Sequence, residues 1–442
     1  MDRPKNDSLT RRQLIARGTA AVAAAALPQV VPASALGRGG RAAPSERIVM
    51  GGIGLGGRGS ADLSWMLTQP DVQWVAVCDV HRGRREAARH TVDNAYAGKG
   101  CAAYSDLRQL LAERTDIEAV LIATGDRWHA LASVLAMRAG KDVYCEKPAC
   151  LTMAQGRAVV ETARRYGRVY QTGAQRLSEP PHVFAIEMAR SGRLGPIHTA
   201  YADIRWRDGN RHDWLPAEPE PPKDELDWDG WLGPSPARPY NSAYVNGGGW
   251  YHFYDFATDV AMWGAHTVAQ ALAGLDMRRV STIDFDYAGP DATMPTRLSN
   301  GVKLVLYRSA GSVWEPCKYW SGACGERFDG PGGWVAAADG YTQTDVSSPG
   351  LLRDYRKVLA EYTARTQRPL NHVRDFLDCV RSRRTPVAGP EVMYRSMCIC
   401  LAADICEQLK RPLKFDLNRA EFVGDPEANR LRSRAMRAPY TF

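Results

Sequence analysis

Arg47-Ile48-Val49-Met50-Gly51-Gly52-Ile53-Gly54-Leu55-Gly56-Gly57-Arg58-Gly59 is the stretch that decides the fold. Arg47 to Ile53 reads as a short apolar strand, Gly54 to Gly59 as a glycine-rich turn, and Ala61 to Leu67 has helical spacing. Trp74-Val75-Ala76-Val77-Cys78 is a second apolar run, and it ends in Asp79. Each glycine has a steric role in such a unit. The first makes a tight turn, the second lets the backbone approach a pyrophosphate, and the third lets helix and strand pack closely. A helix N-terminus beyond the turn offers free N–H groups and a partial positive charge to phosphate. Gly54, Gly56, Gly57, Arg58 and Gly59 are therefore predicted to hold a dinucleotide. Asp79 follows Gly54 by 25 residues, near the separation of about 20 at which a carboxylate reaches ribose hydroxyls. A carboxylate there repels a 2′-phosphate and favours NAD over NADP.

The alternation continues downstream. Leu107 to Leu111 is helix-like, Glu118 to Thr124 a buried strand, His129 to Ala139 a helix and Asp142 to Cys145 a strand. Val159 to Tyr166 is another helix and Val169 to Gln171 another strand. Helices between strands imply crossovers and a doubly wound parallel sheet, hence an α/β fold. Ligands bind outside the carboxyl ends of such strands. That rule places Thr124, Asp126, Trp128 and His129 at the crevice, with Glu146 and Lys147.

Composition narrows the class. The chain has 442 residues, 45% hydrophobic and 24% charged, enough for two or three domains with a real core. No internal run of about 20 apolar residues predicts a membrane span. The formal charge is +8, of which residues 1–35 contribute +3. The remaining +5 is too thinly spread to predict nucleic-acid binding. In that N-terminal segment Arg11-Arg12 precedes an alanine-rich apolar run from Gly18 to Leu27, and Ala33-Ser34-Ala35 is a small-x-small cleavage site. Residues 1–35 resemble a twin-arginine signal peptide, which predicts export of the folded protein to the periplasm and a mature start near Leu36. Ten cysteines occur without a CxxC, so no metal site is expected. Most sit in apolar runs as small buried hydrophobes; Cys317 and Cys324 flank a loop and are positioned to pair.

Ala123-Thr124-Gly125-Asp126-Arg127-Trp128-His129, followed by Glu146-Lys147-Pro148, resembles the glucose–fructose oxidoreductase / inositol dehydrogenase / rhizopine catabolism family, Gfo/Idh/MocA. Gln171 to Arg176, Leu226 to Pro234, Trp263 to His266, His372 to Cys379 and Pro426 to Asn429 are similar to its later segments. The resemblance spans residues 46–442. It implies an NAD-binding Rossmann domain over 46–172, with Gln175 beside the cofactor. It also implies a C-terminal α/β domain over 173–442, with an open, mostly antiparallel sheet that forms a homodimer or homotetramer. Its members mostly oxidise or reduce sugars and cyclitols in a cleft between nicotinamide and the second domain.

The same resemblance assigns roles. Lys147 touches cofactor and substrate; an ammonium there polarises a hydroxyl and stabilises alkoxide character. His266 matches the histidine beside the oxidised carbon, a residue type suited to a general base. The family places an aspartate four residues before that histidine, where this chain has Met262. Asp259 is the next acidic candidate, seven residues before His266 and on the same helical face. Trp206, Trp214, Trp228, Trp231, Trp250, Tyr251 and Trp263 offer apolar faces for a carbohydrate, and Arg176, Arg205, Arg207, Asp213 and His252 offer polar partners. Three functions follow. The first is an NAD-dependent oxidoreductase on a sugar, cyclitol or glycoside. The second is a redox-neutral glycosidase, lyase or epimerase with permanently held NAD, with Tyr251 or His252 as acid or base. The third is a nucleotide-bound sugar-binding protein without catalysis.

Overall fold

The glycine-rich stretch forms the centre of a parallel sheet. A computed structural model describes residues 42–98, 100–204, 211–287, 289, 293–307, 324–339 and 344–442. The twin-arginine segment, Arg205, Trp206, Arg207 and Cys317 lie outside the described residues. In the first half, strands β1 (Ile48–Ile53), β2 (Val72–Cys78), β3 (Ala102–Tyr104), β4 (Ala119–Ile122), β5 (Asp142–Cys145) and β6 (Tyr170–Thr172) alternate with helices. These are α1 (Gly57–Leu67), α2 (Arg82–Ala95), α3 (Leu107–Glu113), α4 (Asp126–Arg138) and α5 (Met153–Tyr166). The sheet order is β3-β2-β1-β4-β5-β6, parallel throughout. The order reverses between β1 and β4, the switch point at which doubly wound sheets bind ligands. β4 is buried along its whole length because helices cover both faces, so its sequence Ala-Val-Leu-Ile is unbroken by polar residues.

The second half contributes α6 (Pro180–Arg190), β7 (Thr199–Asp203), α7 (Trp228–Leu232), α8 (Ser242–Val245) and α9 (Val260–Gly274). After these come β8 (Thr282–Phe285), β9 (Met294–Leu298), β10 (Lys303–Tyr307), β11 (Glu326–Gly330), β12 (Gly333–Ala337) and β13 (Asp345–Val346). The chain ends with α10 (Tyr355–Thr366), α11 (His372–Ser382), α12 (Pro390–Leu409), β14 (Leu413–Asp416), β15 (Glu421–Phe422) and α13 (Pro426–Arg430). Its sheet runs β13-β12-β11-β7-β10-β9-β8-β14-β15; only β7 and β10 pair in parallel. The predicted α/β class with two unlike sheets is the observed one.

Two helices tie the halves together. In α11, Val373, Phe376, Leu377 and Val380 repeat at helical spacing and pack against Ile48, Met50, Leu121 and Tyr144 of the first sheet. Arg374 on the same helix grips both oxygens of Asp71 at 2.7 and 2.9 Å. Helix α12 is buried all round from Ser396 to Cys406 because it lies between α9 and α5. A Cβ at Gly264 would stand 2.8 Å from the Cys400 sulfur, so glycine and cysteine together set how closely α9 approaches α12. Residues 48–442 accordingly form one compact unit. Phe376→Ala is expected to lower its stability by about 3–5 kcal/mol, read from chemical denaturation.

Three helices start earlier than the sequence reading has them, while the strand predicted over Glu118–Thr124 is shorter, Ala119–Ile122. Helices α1, α4 and α5 begin four, three and six residues earlier than the apolar spacing predicts, at Gly57, Asp126 and Met153. Their first turns carry glycine or polar residues, which periodicity does not register. Helix α2 went unpredicted for the same reason: of Arg-Gly-Arg-Arg-Glu-Ala-Ala-Arg-His-Thr-Val-Asp-Asn-Ala, only Ala88 and Val92 are buried.

Candidate active site

A cleft of about 710 Å³ opens at the switch point. Gly54, Gly56, Gly57, Arg58, Asp79, Thr124, Trp128, His129, Glu146, Lys147, Gln175 and His266 all line it. Of the predicted site residues, Gly59 and Asp259 do not.

Gly59 acts one layer behind the cleft. A Cβ there would meet the Gly54 carbonyl oxygen at 2.2 Å, so glycine is what lets α1 pack on β1. Gly54 has φ +78° and sits so close to Thr124 that a Cβ would fall 2.5 Å from its Cα. Gly57 is the opposite case: a Cβ there meets nothing within 4 Å and would project into open cleft. Helix α1 starts beside that space with no side-chain cap and no acidic residue in its first turn. Its leading N–H groups and positive dipole end therefore suit a pyrophosphate. This glycine cradle fits the phosphates of a dinucleotide. Asp79, 6% exposed, accepts the Leu55 N–H at 2.7 Å and the His81 N–H at 2.8 Å. Its carboxylate is thereby pinned at the adjoining end of the cleft.

The far end is held by a dense polar network. Glu146 accepts Gln175 Nε2 at 2.7 Å and the Lys147 N–H at 3.2 Å, and its Oε1 lies 3.3 Å from Arg58 Nε. Arg58 also reaches Asp62 at 2.8 Å. Burial, and then the neighbouring Glu146 charge, raise the Asp62 carboxyl pKa to about 8. His129 braces the wall. Gly125 N–H donates to its Nε2 at 3.2 Å and its Nδ1 lies 2.7 Å from the Pro148 carbonyl, so Nδ1 carries the proton. Burial lowers its pKa to about 4, and it stays neutral.

Lys147 leaves the end of β5 and donates to the Met262 carbonyl at 2.8 Å, with its ammonium 5.5 Å from the Trp263 ring centre. His266, on α9, is 2% exposed. Its Nε2 lies 3.4 Å from an Arg176 amino group and its Nδ1 has no hydrogen-bond partner among the described residues. Arginine can only donate, so Nε2 accepts and the ring proton sits on Nδ1. Burial, then the charges of Arg176 and Lys147, hold the imidazole well below its ordinary pKa. That setting makes His266 a weak base and a ready hydrogen-bond donor.

Asp259 requires a correction. It caps the start of α9 with helical backbone angles (φ −81°, ψ −60°), so its helical spacing from His266 is kept, but it is buried and does not line the cleft. It lies beside Asp404, whose pKa burial raises to about 8, with the Asp259 charge adding to the effect. Asp404 in turn accepts the Val260 N–H at 3.0 Å. Among the described residues no carboxylate bonds His266; Arg176 faces it, and Asp339 binds Arg176 through Nε at 2.8 Å and an amino group at 2.5 Å.

Trp231, Trp250, Tyr251 and Trp263 line the cleft as expected, whereas Trp228 is buried behind Trp231, stacked 4.7 Å from it, and Trp214 is exposed. Asp213 pairs with Arg211 at the surface, and His252 is not a lining residue. Arg84, Arg127, Asp339 and Tyr440 line the cleft unforeseen. Arg127 stacks 3.5 Å over the Trp231 ring and donates to its carbonyl at 2.7 Å, and burial lowers its pKa to about 9. No local pattern marks Asp339 or Tyr440, which reach the cleft from remote segments.

Fold and cleft define a nucleotide-binding α/β architecture with a second, mostly antiparallel sheet. Residues 47–174 match the oxidoreductase family Gfo/Idh/MocA, NAD-binding Rossmann fold, and residues 325–442 match its C-terminal alpha/beta domain. The two matches together span more than half of the chain, and the chain belongs to this family. It is 34% identical to inositol 2-dehydrogenase of Salmonella typhimurium over 145 residues, 32% of this chain and 41% of that protein. It is 31% identical to a glycosyl hydrolase family 109 protein of Stenotrophomonas maltophilia over 212 residues, 47% of this chain and 43% of that protein. The chain thus spans about two-fifths of the length of these curated relatives. The WlbA dehydrogenase of Chromobacterium violaceum, solved with NADH and UDP-GlcNAcA, shares the fold at TM-score 0.58 and 16% identity, over 84% of this chain and 97% of that one.

Proposed function

We propose that this protein is an exported oxidoreductase that moves a hydride at a carbinol carbon of a sugar, cyclitol or glycoside, using tightly held NAD. One observation carries the reading: the glycine cradle, Lys147, His266 and an aromatic wall converge on a single cleft. NAD, when bound, supplies the hydride acceptor. Lys147 polarises the substrate hydroxyl and stabilises the developing alkoxide. His266 lines the substrate space beside Arg176, which is held by Asp339 and fixes a substrate hydroxyl. Trp250, Tyr251 and Trp263 exclude water and cover the apolar face of the ring. Asp79 supports NAD over NADP, because its carboxylate would repel a 2′-phosphate.

A redox-neutral reaction, in which the hydride returns to substrate after elimination or epimerisation, is the second reading. Tyr251 favours it: this phenol lines the cleft, stacked 3.8 Å from Trp250, and is placed to exchange a proton with a leaving group. The family 109 relative supports the same direction. Free NAD is scarce outside the cytoplasm, so retention of cofactor loaded before export suits this reading.

The separating experiment denatures purified protein, measures released NAD(H), and follows NADH formation with sugars and cyclitols. Net NADH supports the oxidoreductase. Bound NAD with glycoside cleavage and no net NADH supports the redox-neutral enzyme. A protein empty of nucleotide that still binds sugar overturns both and leaves a binding protein. Export is tested by N-terminal sequencing, expected to begin near Leu36. Assembly as a homodimer or homotetramer through the second sheet is tested by light scattering.

A further inference from the structure

We infer that residues 431–442 form a clasp that locks bound NAD into the cleft: Arg437 fastens a crossing segment over the adenosine half of the cofactor, and Tyr440 closes the mouth beside it. The inference rests on the proposed NAD binding.

The crossing segment is residues 225–234. Asp79, at the end of β2, marks the ribose of the adenosine half. Beside it, the Arg82 N–H donates to the Glu225 carbonyl at 2.8 Å and the Asp227 N–H to the Val80 carbonyl at 3.2 Å. The other end of the segment is tied to the start of α4. There the Trp128 ring N–H donates to the Gly230 carbonyl at 2.9 Å, and Arg127 Nε to the Trp231 carbonyl at 2.7 Å. β2 and β4 flank β1 in the sheet, so the segment bridges the end of β1, where the glycine-rich turn begins. Asp227, Gly230 and Trp231 line the cleft from this bridge.

The C-terminal segment fastens the bridge. Beyond α13 it has no helix or strand of its own and is tied by arginines instead. Arg432 donates to the Ala420 carbonyl at 2.7 Å, and the Arg434 guanidinium lies 3.5 Å over the Tyr254 ring. Arg437 grips the bridge itself. Its N–H donates to the Pro234 carbonyl at 2.9 Å, its Nε to the Gly233 carbonyl at 3.0 Å and an amino group to the Asp229 carbonyl at 3.0 Å. The other amino group pairs with the Asp229 carboxylate.

Tyr440 follows three residues on, its N–H bonded to the Arg437 carbonyl at 2.9 Å. Its ring meets Trp128 edge to face, with centres 5.3 Å apart. Gly233 makes room for this packing: it has φ +55°, and a Cβ there would fall 2.2 Å from the Trp128 ring. Tyr440 lines the cleft together with Asp106 and Arg108, which follow β3, the neighbour of β2 on the adenosine side. A phenol ring and a guanidinium at that mouth suit the face of a purine base. NAD held beneath the bridge leaves only when the bridge lifts, and lifting it breaks the bonds of Arg437. Slow release therefore comes from a closure as well as from the phosphate cradle.

The test uses the full-length, NAD-loaded protein and follows NAD release into an excess of NAD glycohydrolase. Arg437→Met keeps the stem and removes the side-chain bonds. It is expected to speed release and uptake alike, each by about tenfold or more, because both need the bridge open. Tyr440→Ala is expected to speed release by about tenfold, whereas Tyr440→Phe keeps the ring and stays within about twofold of wild type. Arg432→Met loosens the same segment at Ala420 but not the bridge, and is expected to release NAD within about twofold of wild type. Release within about twofold of wild type in both Arg437→Met and Tyr440→Ala overturns the inference, as does release from Arg432→Met as fast as from Arg437→Met. Wild type that takes up no NAD fails the proposed cofactor binding itself, and the clasp with it.

Discussion

Lys147→Ala is expected to lower kcat by about three orders of magnitude or more, in either direction of hydride transfer. Two losses combine. The ammonium that stabilises alkoxide character is gone, an effect of about 10²–10³ on its own. The proton route from the substrate hydroxyl is broken as well, worth about 10²–10⁴. The two act through one atom and do not simply multiply. The fold has little reason to suffer, since Lys147 gives up one hydrogen bond to the Met262 carbonyl and a contact with Trp263. Released NAD and thermal melting are therefore expected to match wild type. Turnover within tenfold of wild type would remove Lys147 from the chemistry.

Gly57→Val separates folding from cofactor binding. The added side chain meets no protein atom, because nothing lies within 4 Å of a Cβ at this position. Valine at the first turn of α1 lowers helix propensity by well under about 1 kcal/mol relative to good formers, and glycine there is itself a poor former. Stability is expected to stay near wild type. The same side chain occupies the space above the uncapped N-terminus of α1, where a pyrophosphate would sit. Bound NAD is expected to fall below detection and activity with it. Equilibrium denaturation beside nucleotide release checks both parts; an intact NAD content would place the phosphates elsewhere.

How far the sequence reveals the site depends on how local each signal is. Gly54, Gly56, Gly57 and Gly59 were legible because a turn, an approach and a helix contact are satisfied within six residues. Lys147 and His266 were legible from short motifs at an element's end and within a helix. Asp126 was placed at the crevice by the strand-end rule, and it lines the cleft there. Asp339 and Tyr440 arrive from distant segments and carry no spacing signal. Asp259 misled because helical spacing does not show that its carboxylate packs beside Asp404 at the start of α9 and away from the cleft. In the fold, unbroken apolar strands such as Ala119–Ile122 were clear, while α2, with two buried side chains, had too narrow an apolar stripe to stand out.

The most direct test of the central claim is the occupancy and redox state of nucleotide in the purified protein, before and after a panel of sugars and cyclitols is added. The account predicts NAD(H) equimolar with the chain, and a reduced fraction that changes when a substrate is present in wild type but not in Lys147→Ala. A protein that holds no dinucleotide and takes none up, or bound NAD whose redox state responds equally in both proteins, would contradict it.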